Sequence, residues 1–373
     1  MKYCNVALRP DEKAIYDLRA LYLRRGYRHY KVGKFEEYDL YATNKSFLKG
    51  DSILTFTDTD GKLMALKPDV TLSIIKNIGD GDESTHKFFY NENVYRTSAS
   101  SGSFREIMQT GLECIGKIDT YAICEVLCLA DDSLRTISEN SLLTLSHMGF
   151  VTGLLEECDF NASEQREALG FIASKNTHSL CDMAKSKALD ARLEEALVFV
   201  SKYYGKLSTA LQTMEGFCFN EKMTDAYKEL KGVCTAMTGR AIYADFSLVN
   251  DMNYYNGIIF KGYIDGIPES ILSGGRYDSL VHKMGKKQGA VGFAVYLDLL
   301  ERFYFDASEY DADVLLLYSD GTSPSEVLGA VNALSENGQT VKVLADNDGK
   351  RYRQIARIVG GEVRFIGNVE KND

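Results

Sequence analysis

Two strand-like runs, KFFYNENVYR (87–96) and REIMQTGLECIG (105–116), flank a loop of small polar residues, TSASSGS. Side chains of a strand point alternately to opposite faces. Gln109, Gly111 and Glu113 therefore share one face of the second run, and Met108, Leu112 and Cys114 share the other. The default for such a face is a solvated surface. The sharper alternative is a cleft built on a sheet, where a Glu beside a Gln suits a ligand's ammonium group. NDMNYYNGIIF (250–260) raises the same question, because Asn253-Tyr254-Tyr255-Asn256 stand beside a buried-strand pattern, Ile258 to Phe260.

The remaining pattern divides the chain. PDEKAIYDLRALYLRRG (10–26) is an amphipathic helix with Pro10 in its first turn and Gly26 to close it. ILTFT and KLMAL form a hairpin across Asp58 to Gly61, and Val70-Thr71 leads into a short helix ending near Asn77. TYAICEVLCLADDSLRTI is helical and SLLTLSHMGF strand-like, and about 161–240 is almost wholly helical. Strand patterns resume in IYADFSLVND, YYNGIIFKGY and ESILSGGRYD, and GFAVYLDLLERF reads as a closing helix. From residue 311 the period changes: DVLLLY, TVKVLA and EVRFIG are strands, and SPSEVLGAVNALSENG and KRYRQIARIVGG are helices between them. That alternation predicts a small α/β domain.

The 373 residues carry a net charge of −10 and no block of basic residues, which disfavours nucleic-acid binding. No apolar run reaches bilayer-spanning length, and MKYCNVALRPDEK lacks a signal core, so a cytoplasmic chain is expected. Eight cysteines show no CxxC and read as reduced core residues. Asp58 and Asp60 in TDTDG make a turn more simply than a metal site, GDGDES (79–84) is too short for an EF-hand, and the five histidines do not cluster.

Five ordered segments between about 10 and 305 resemble the histidyl-tRNA synthetase group of class II synthetase-like folds. FTDTDGKLMALKPDVT is similar to the segment holding the amino acid's charged end. NVYRTSASSGSFREIMQTGLECIG is similar to motif 2, LVNDMNYYNGIIF and SGGRYDSL to the two histidine signatures, and GAVGFAVYLDLLERF to motif 3. The resemblance implies an α+β fold: an antiparallel sheet flanked by helices in a domain spanning 1–308, with the helical insertion at about 161–240. Residues 311–373 resemble a shortened anticodon-binding domain. It also implies a histidine pocket. Asp69, Thr71, Gln109 and Glu113 would meet the amino group. Tyr254 and Tyr255 would wall the imidazole, Gly274 and Gly275 would allow close approach, and Arg276 and Tyr277 would lie just beyond.

The phosphate-facing charges are depleted. The motif 2 arginine persists as Arg96, but the carboxylate position two residues later is Ser98. Leu299 stands at the motif 3 arginine position and Asn250 at the arginine that opens the first histidine signature. Losing one such preorganised charge typically costs about 3–4 kcal/mol, roughly a hundred- to thousandfold in rate. This combination resembles the regulatory subunits of ATP phosphoribosyltransferase, which acts first in histidine biosynthesis. The implied role is a non-catalytic subunit without a cofactor or metal. It would join a short catalytic ATP phosphoribosyltransferase chain, take L-histidine as effector and pair as a homodimer, with tRNA binding disfavoured. Two readings stay open beside it: an active histidyl-tRNA synthetase, and a synthetase-like binding module with another partner.

Overall fold

A computed structural model describes residues 8–48, 52–79, 84–97, 102–249, 254–300 and 310–368. It contains two compact units, Met1–Arg302 and Phe303–Asp373.

The first unit opens with helix α1 (Pro10–Arg24). Pro10 occupies its first turn, and the Glu12 carboxylate accepts from the Arg9 N–H at 2.9 Å. Strands β1 (Arg28–His29) and β2 (Phe35–Glu37) follow, then α2 (Tyr38–Thr43), β3 (Thr55–Thr57), β4 (Leu63–Leu66) and α3 (Thr71–Lys76). β3 and β4 are the expected hairpin. Its Asp58 accepts from the Thr59 N–H at 2.7 Å within the turn. Next come β5 (His86–Thr97), β6 (Phe104–Gly116), α4 (Thr120–Ile137), β7 (Ser141–His147) and α5 (Met148–Glu157).

The helical insertion comprises α6 (Ala162–Ala173), α7 (Thr177–Ser186), α8 (Ala191–Lys202), α9 (Leu207–Met214) and α10 (Glu221–Ala236), with the short β8 (Tyr204–Lys206) inside it. β9 (Ile242–Asp245), β10 (Ile258–Ile264), β11 (Leu272–Arg276), α11 (Asp278–Lys283) and β12 (Gly289–Tyr296) complete the described unit. The large sheet runs β1-β5-β6-β12-β11-β10-β7-β9-β8. Its six inner strands, β5 to β7 in that order, pair antiparallel throughout. One face packs on α4: Leu112, Leu143, Leu145 and Phe260 join Leu127 and Leu134 in the main core. The opposite face of β6 carries Gln109 and Glu113.

Of two expected helices, one is a strand, and the other is strand up to Tyr296 and helical from Asp298 to Leu300 among its described residues. GFAVYLDLLERF does not begin as a helix, because Gly292 to Tyr296 lie in β12 between β6 and β11. A short apolar run fits a strand buried on both sides as well as a helix, and the pairing of its backbone decides.

The second correction lies in the smaller unit, which comprises β13 (Ala312–Leu317), α12 (Pro324–Glu336), β14 (Val341–Leu344), β15 (Tyr352–Val359) and β16 (Glu362–Asn368). The sheet order is β14-β13-β15-β16. KRYRQIARIVGG supplies β15 and a turn, not a helix. Ala356 and Ile358 face the α12 side with Val314, Leu316 and Leu334, whereas Arg353 and Arg357 alternate outward and are exposed. Gly360 and Gly361, at φ 60° and 83°, make a two-residue turn that pairs Val359 with Glu362. Arg353 and Arg357 are therefore exposed positions of a strand, where a helix was expected.

No described helix is long and apolar enough to cross a membrane. Cysteines 114, 124, 128, 158, 181, 218 and 234 are free thiols. No group of three or more potential metal ligands occurs among the described residues.

The Gly-Gly turn gives the first test. Gly361→Val forces a β-branched side chain into the left-handed region, so the C-terminal unit should lose about 1–2 kcal/mol in urea unfolding. An unchanged midpoint would argue against the hairpin.

Candidate functional site

The alternation of β6 puts Gln109, Gly111 and Glu113 on the face away from α4, and antiparallel pairing assembles the rest around them. Glu113 lies opposite Phe88 of β5 and Gly292 of β12; Gly111 lies opposite Tyr90 and Ala294; Gln109 lies opposite Glu92 and Tyr296. Two glycines make this floor possible by close approach. A Cβ at Gly111 would fall inside the Tyr90 ring, and one at Gly292 would overlap the Glu113 carboxylate. The resulting cleft, about 460 Å³ with its mouth included, is lined by Asp69, Thr71, Arg96, Gln109, Glu113, Tyr254 and Tyr255. Phe47, Tyr90, Ser273, Tyr277 and Tyr296 complete its walls.

Glu113 is the most constrained group. It is 3 % exposed; Oε1 accepts from the Thr71 hydroxyl at 2.7 Å and Oε2 from the Tyr277 hydroxyl. Burial pushes its carboxyl up to about 8; the two hydroxyl donors pull the other way, and nearby Asp69 adds to the rise. Asp69 heads α3, its Oδ1 accepting from the Leu72 N–H at 3.0 Å. Arg96 donates from Nε to the Pro68 carbonyl at 2.7 Å, and its Nη2 lies 3.7 Å from Asp69 Oδ2. Gln109 is 2 % exposed, and its Nε2 has no hydrogen-bond partner among the described residues. A buried amide donor without an acceptor is costly. A ligand oxygen in the cleft would relieve it. Tyr254 and Tyr255 meet edge to face at 4.7 Å between centroids, and Tyr254 reaches Tyr277 at 5.7 Å and Phe47 at 6.3 Å. Two carboxylates, a guanidinium, an orphaned amide and an aromatic wall suit a small ligand with an ammonium group and a flat polar ring.

Asp69, Thr71, Arg96, Gln109, Glu113, Tyr254, Tyr255 and Tyr277 therefore line one cleft. Gly274 and Arg276 do not. β11 alternates, so Ser273 and Gly275 face the cleft, Gly275 lying against the Tyr255 ring, while Gly274 packs toward Phe260 and Phe293. Arg276 turns away with Gly274 and binds Asp278 and Glu229 at 2.8 and 3.4 Å. The period of two was available in SGGRYD and separates these residues. The roles of Tyr90 and Tyr296 had no such signal, because they depend on the register of β6 with its neighbours. Leu299 is buried in the main core and presents no charge to the cleft. Asn250 and Ser98 lie outside the described residues.

The profile of the histidyl-tRNA synthetase family matches residues 7–300. An ATP phosphoribosyltransferase regulatory subunit of Oceanobacillus iheyensis is 30% identical over 282 residues, covering 74% of this chain and 69% of the relative. The chain belongs to the histidyl-tRNA synthetase-like family of ATP phosphoribosyltransferase regulatory subunits. A regulatory subunit of Bacillus thuringiensis is 28% identical over 90% of this chain and 80% of its own length. Among solved structures, an ATP phosphoribosyltransferase regulatory subunit/histidyl-tRNA synthetase from Bacillus halodurans aligns with a TM-score of 0.74 and 23% identity over 94% of both chains. An ATP phosphoribosyl transferase complex from Thermotoga maritima aligns at 0.61 and 19% identity, covering 79% of this chain and 98% of that one. The shared fold is the class II synthetase-like sheet.

Glu113 makes stability depend on pH. Its folded-state value near 8 exceeds the ordinary carboxylate value, so the folded chain holds this proton more tightly than the unfolded one. That stabilisation is complete below the unfolded value and is lost as pH rises through about 8. The ligand-free wild type should thus lose melting temperature between about pH 5 and about pH 9 relative to Glu113→Gln, which cannot ionise. Parallel melting curves for the two proteins would remove the assigned shift.

Proposed function

We propose that this chain is a non-catalytic regulatory subunit: it binds L-histidine in the tyrosine-walled cleft and activates and feedback-controls a short-form ATP phosphoribosyltransferase. The observation that carries the histidine site is the buried, unpartnered Gln109 amide in a cleft with two carboxylates, Arg96 and the Tyr254–Tyr255 wall. The ligand's ammonium goes to Asp69, Thr71 and Glu113 and its imidazole against the tyrosines; its carboxylate goes to Arg96 and to Gln109, which the resemblance assigned to the ammonium but whose free Nε2 is a donor and needs an acceptor. An ammonium also resolves the strain on Glu113, since a neighbouring positive charge favours the carboxylate form that burial opposes.

Arg96 is the single cation among the described lining residues, and Leu299 is committed to the core. That supports a site able to hold an amino acid and poorly equipped to stabilise a reacting triphosphate. The names of the relatives supply the partner, because a regulatory subunit acts through a catalytic chain. The reading places the protein in the cytoplasm, as a homodimer within a hetero-oligomer, with Phe303–Asp373 an appended domain. Feedback requires only that histidine bind one arrangement of that assembly more tightly than another.

Calorimetry should show one histidine site per chain, and Glu113→Ala should weaken it at least roughly tenfold to a hundredfold by removing a charge-assisted contact. Mixed with a short-form catalytic subunit, the wild type should raise turnover and histidine should lower it. Glu113→Ala should keep the activation and lose the inhibition. Histidine-dependent pyrophosphate exchange with ATP at a normal synthetase rate would overturn the non-catalytic assignment.

A further inference from the structure

Tyr255 and Tyr277 wall the cleft, and the residues that follow them are tied together behind it. Asp278 donates its N–H to Asn256 Oδ1 at 3.0 Å, and Asn256 Nδ2 donates to Asp278 Oδ2 at 3.4 Å. Arg276 Nε donates to the same Oδ2 at 2.8 Å. The other end of this guanidinium crosses to the helical insertion, where Nη1 meets Glu229 Oε2 of α10 at 3.4 Å. Glu229 Oε1 in turn lies 3.0 Å from His147 Nε2. His147 Nδ1 accepts from the Gly149 N–H at 3.1 Å, which puts the ring proton on Nε2, facing Glu229. The next residue, Met148, donates its N–H to the Gly257 carbonyl at 2.9 Å and so returns to the tyrosine segment.

The chain of contacts is therefore a closed loop through β11, α10, the start of α5 and the segment after Tyr255. Its charged side chains are largely shielded, at 27 % exposure for Arg276, 18 % for Glu229 and 11 % for Asp278. Burial pushes the Glu229 carboxyl up, but His147 and Arg276 outweigh it and hold the group below its ordinary value. A shielded network of this kind tolerates displacement poorly, because an unpaired buried charge is expensive. Nothing in it touches the cleft directly, so ligand binding does not explain its presence.

We propose that Arg276 is a positioning residue through which the cleft acts on the helical insertion: a ligand seated against the tyrosines that line the cleft, Tyr255 and Tyr277 among them, shifts the following residues Asn256 and Asp278, and the Arg276–Glu229 contact passes that shift to α10. The inference rests on the cleft being an amino-acid site. It identifies α10 as the part of the subunit whose state reports occupancy. By linkage, the state of α10 must alter ligand affinity by the same factor, on the order of 5–150-fold in typical couplings.

Hydrogen exchange on the full chain, with and without saturating L-histidine, tests this. In the wild type, histidine should slow exchange in the cleft strands and change it severalfold across 221–236. In Glu229→Gln the cleft strands should still respond, the change across 221–236 should be lost, and the dissociation constant should move by no more than the coupling factor. Should Glu229→Gln fail to fold, Arg276→Lys serves the same purpose, since a lysine keeps the charge without the two-ended fork. A purely structural contact would alter exchange equally with and without ligand, so the ligand-induced difference separates the two cases. Protection of the cleft with 221–236 unmoved in the wild type, or a full α10 response in the variant, overturns the proposal. No histidine-dependent change anywhere overturns the underlying reading of the cleft, and this inference with it.

Discussion

The site depends on a buried carboxylate. Glu113 lies on β6, buried between β5 and β12, where water cannot solvate it, and two hydroxyls, from Thr71 and Tyr277, stand in for water. Each comes from a different element, so α3, β6 and the start of α11 must all be in place before the charge is tolerable. Space has to be made as well. The position opposite Glu113 is Gly292, because any side chain there would occupy the volume of the carboxylate. Even so, the two hydroxyls leave the group far above its ordinary value. A neighbouring cation would favour the ionised form that burial opposes.

The same sheet shows why the cleft is selective in charge. Its floor comes from one face of β5, β6, β11 and β12, and the other face belongs to the core under α4. Side chains of these strands thus go either to the cleft or to the α4 side, where Lys87 of β5 pairs with Glu125 of α4 at 2.6 Å. Arg276 illustrates the rule, since one step of strand sends it away from the ligand and toward α10. Leu299 illustrates it in reverse, for an apolar residue there is absorbed by the core. What remains is a cleft lined by carboxylates and rings, with the helical insertion held behind it through the Arg276–Glu229 ion pair.

Much of this was legible in the chain itself. The alternation in REIMQTGLECIG brought Gln109 and Glu113 to one face before any pairing was known, and the five family segments located Asp69, Thr71, Arg96, Tyr254 and Tyr255. Those residues do meet in one cleft. The errors have a common origin. Gly274 and Arg276 were assigned by signature alone, although period-two alternation separates them from Ser273 and Gly275. KRYRQIARIVGG was given a helix although its Gly-Gly pair is a hairpin turn.

Residue order alone thus determined which side chains could share a face and where the chain must turn. These are local properties, set by strand period, backbone sterics and side-chain chemistry. Register was decided only in the folded sheet. It set Tyr90 over Gly111, Gly292 against Glu113 and Tyr296 beside Gln109, and it left the Gln109 amide buried without a partner. Those contacts join residues as far apart as 113 and 292, whose proximity follows from hydrogen bonding between strands and from no pattern within either one.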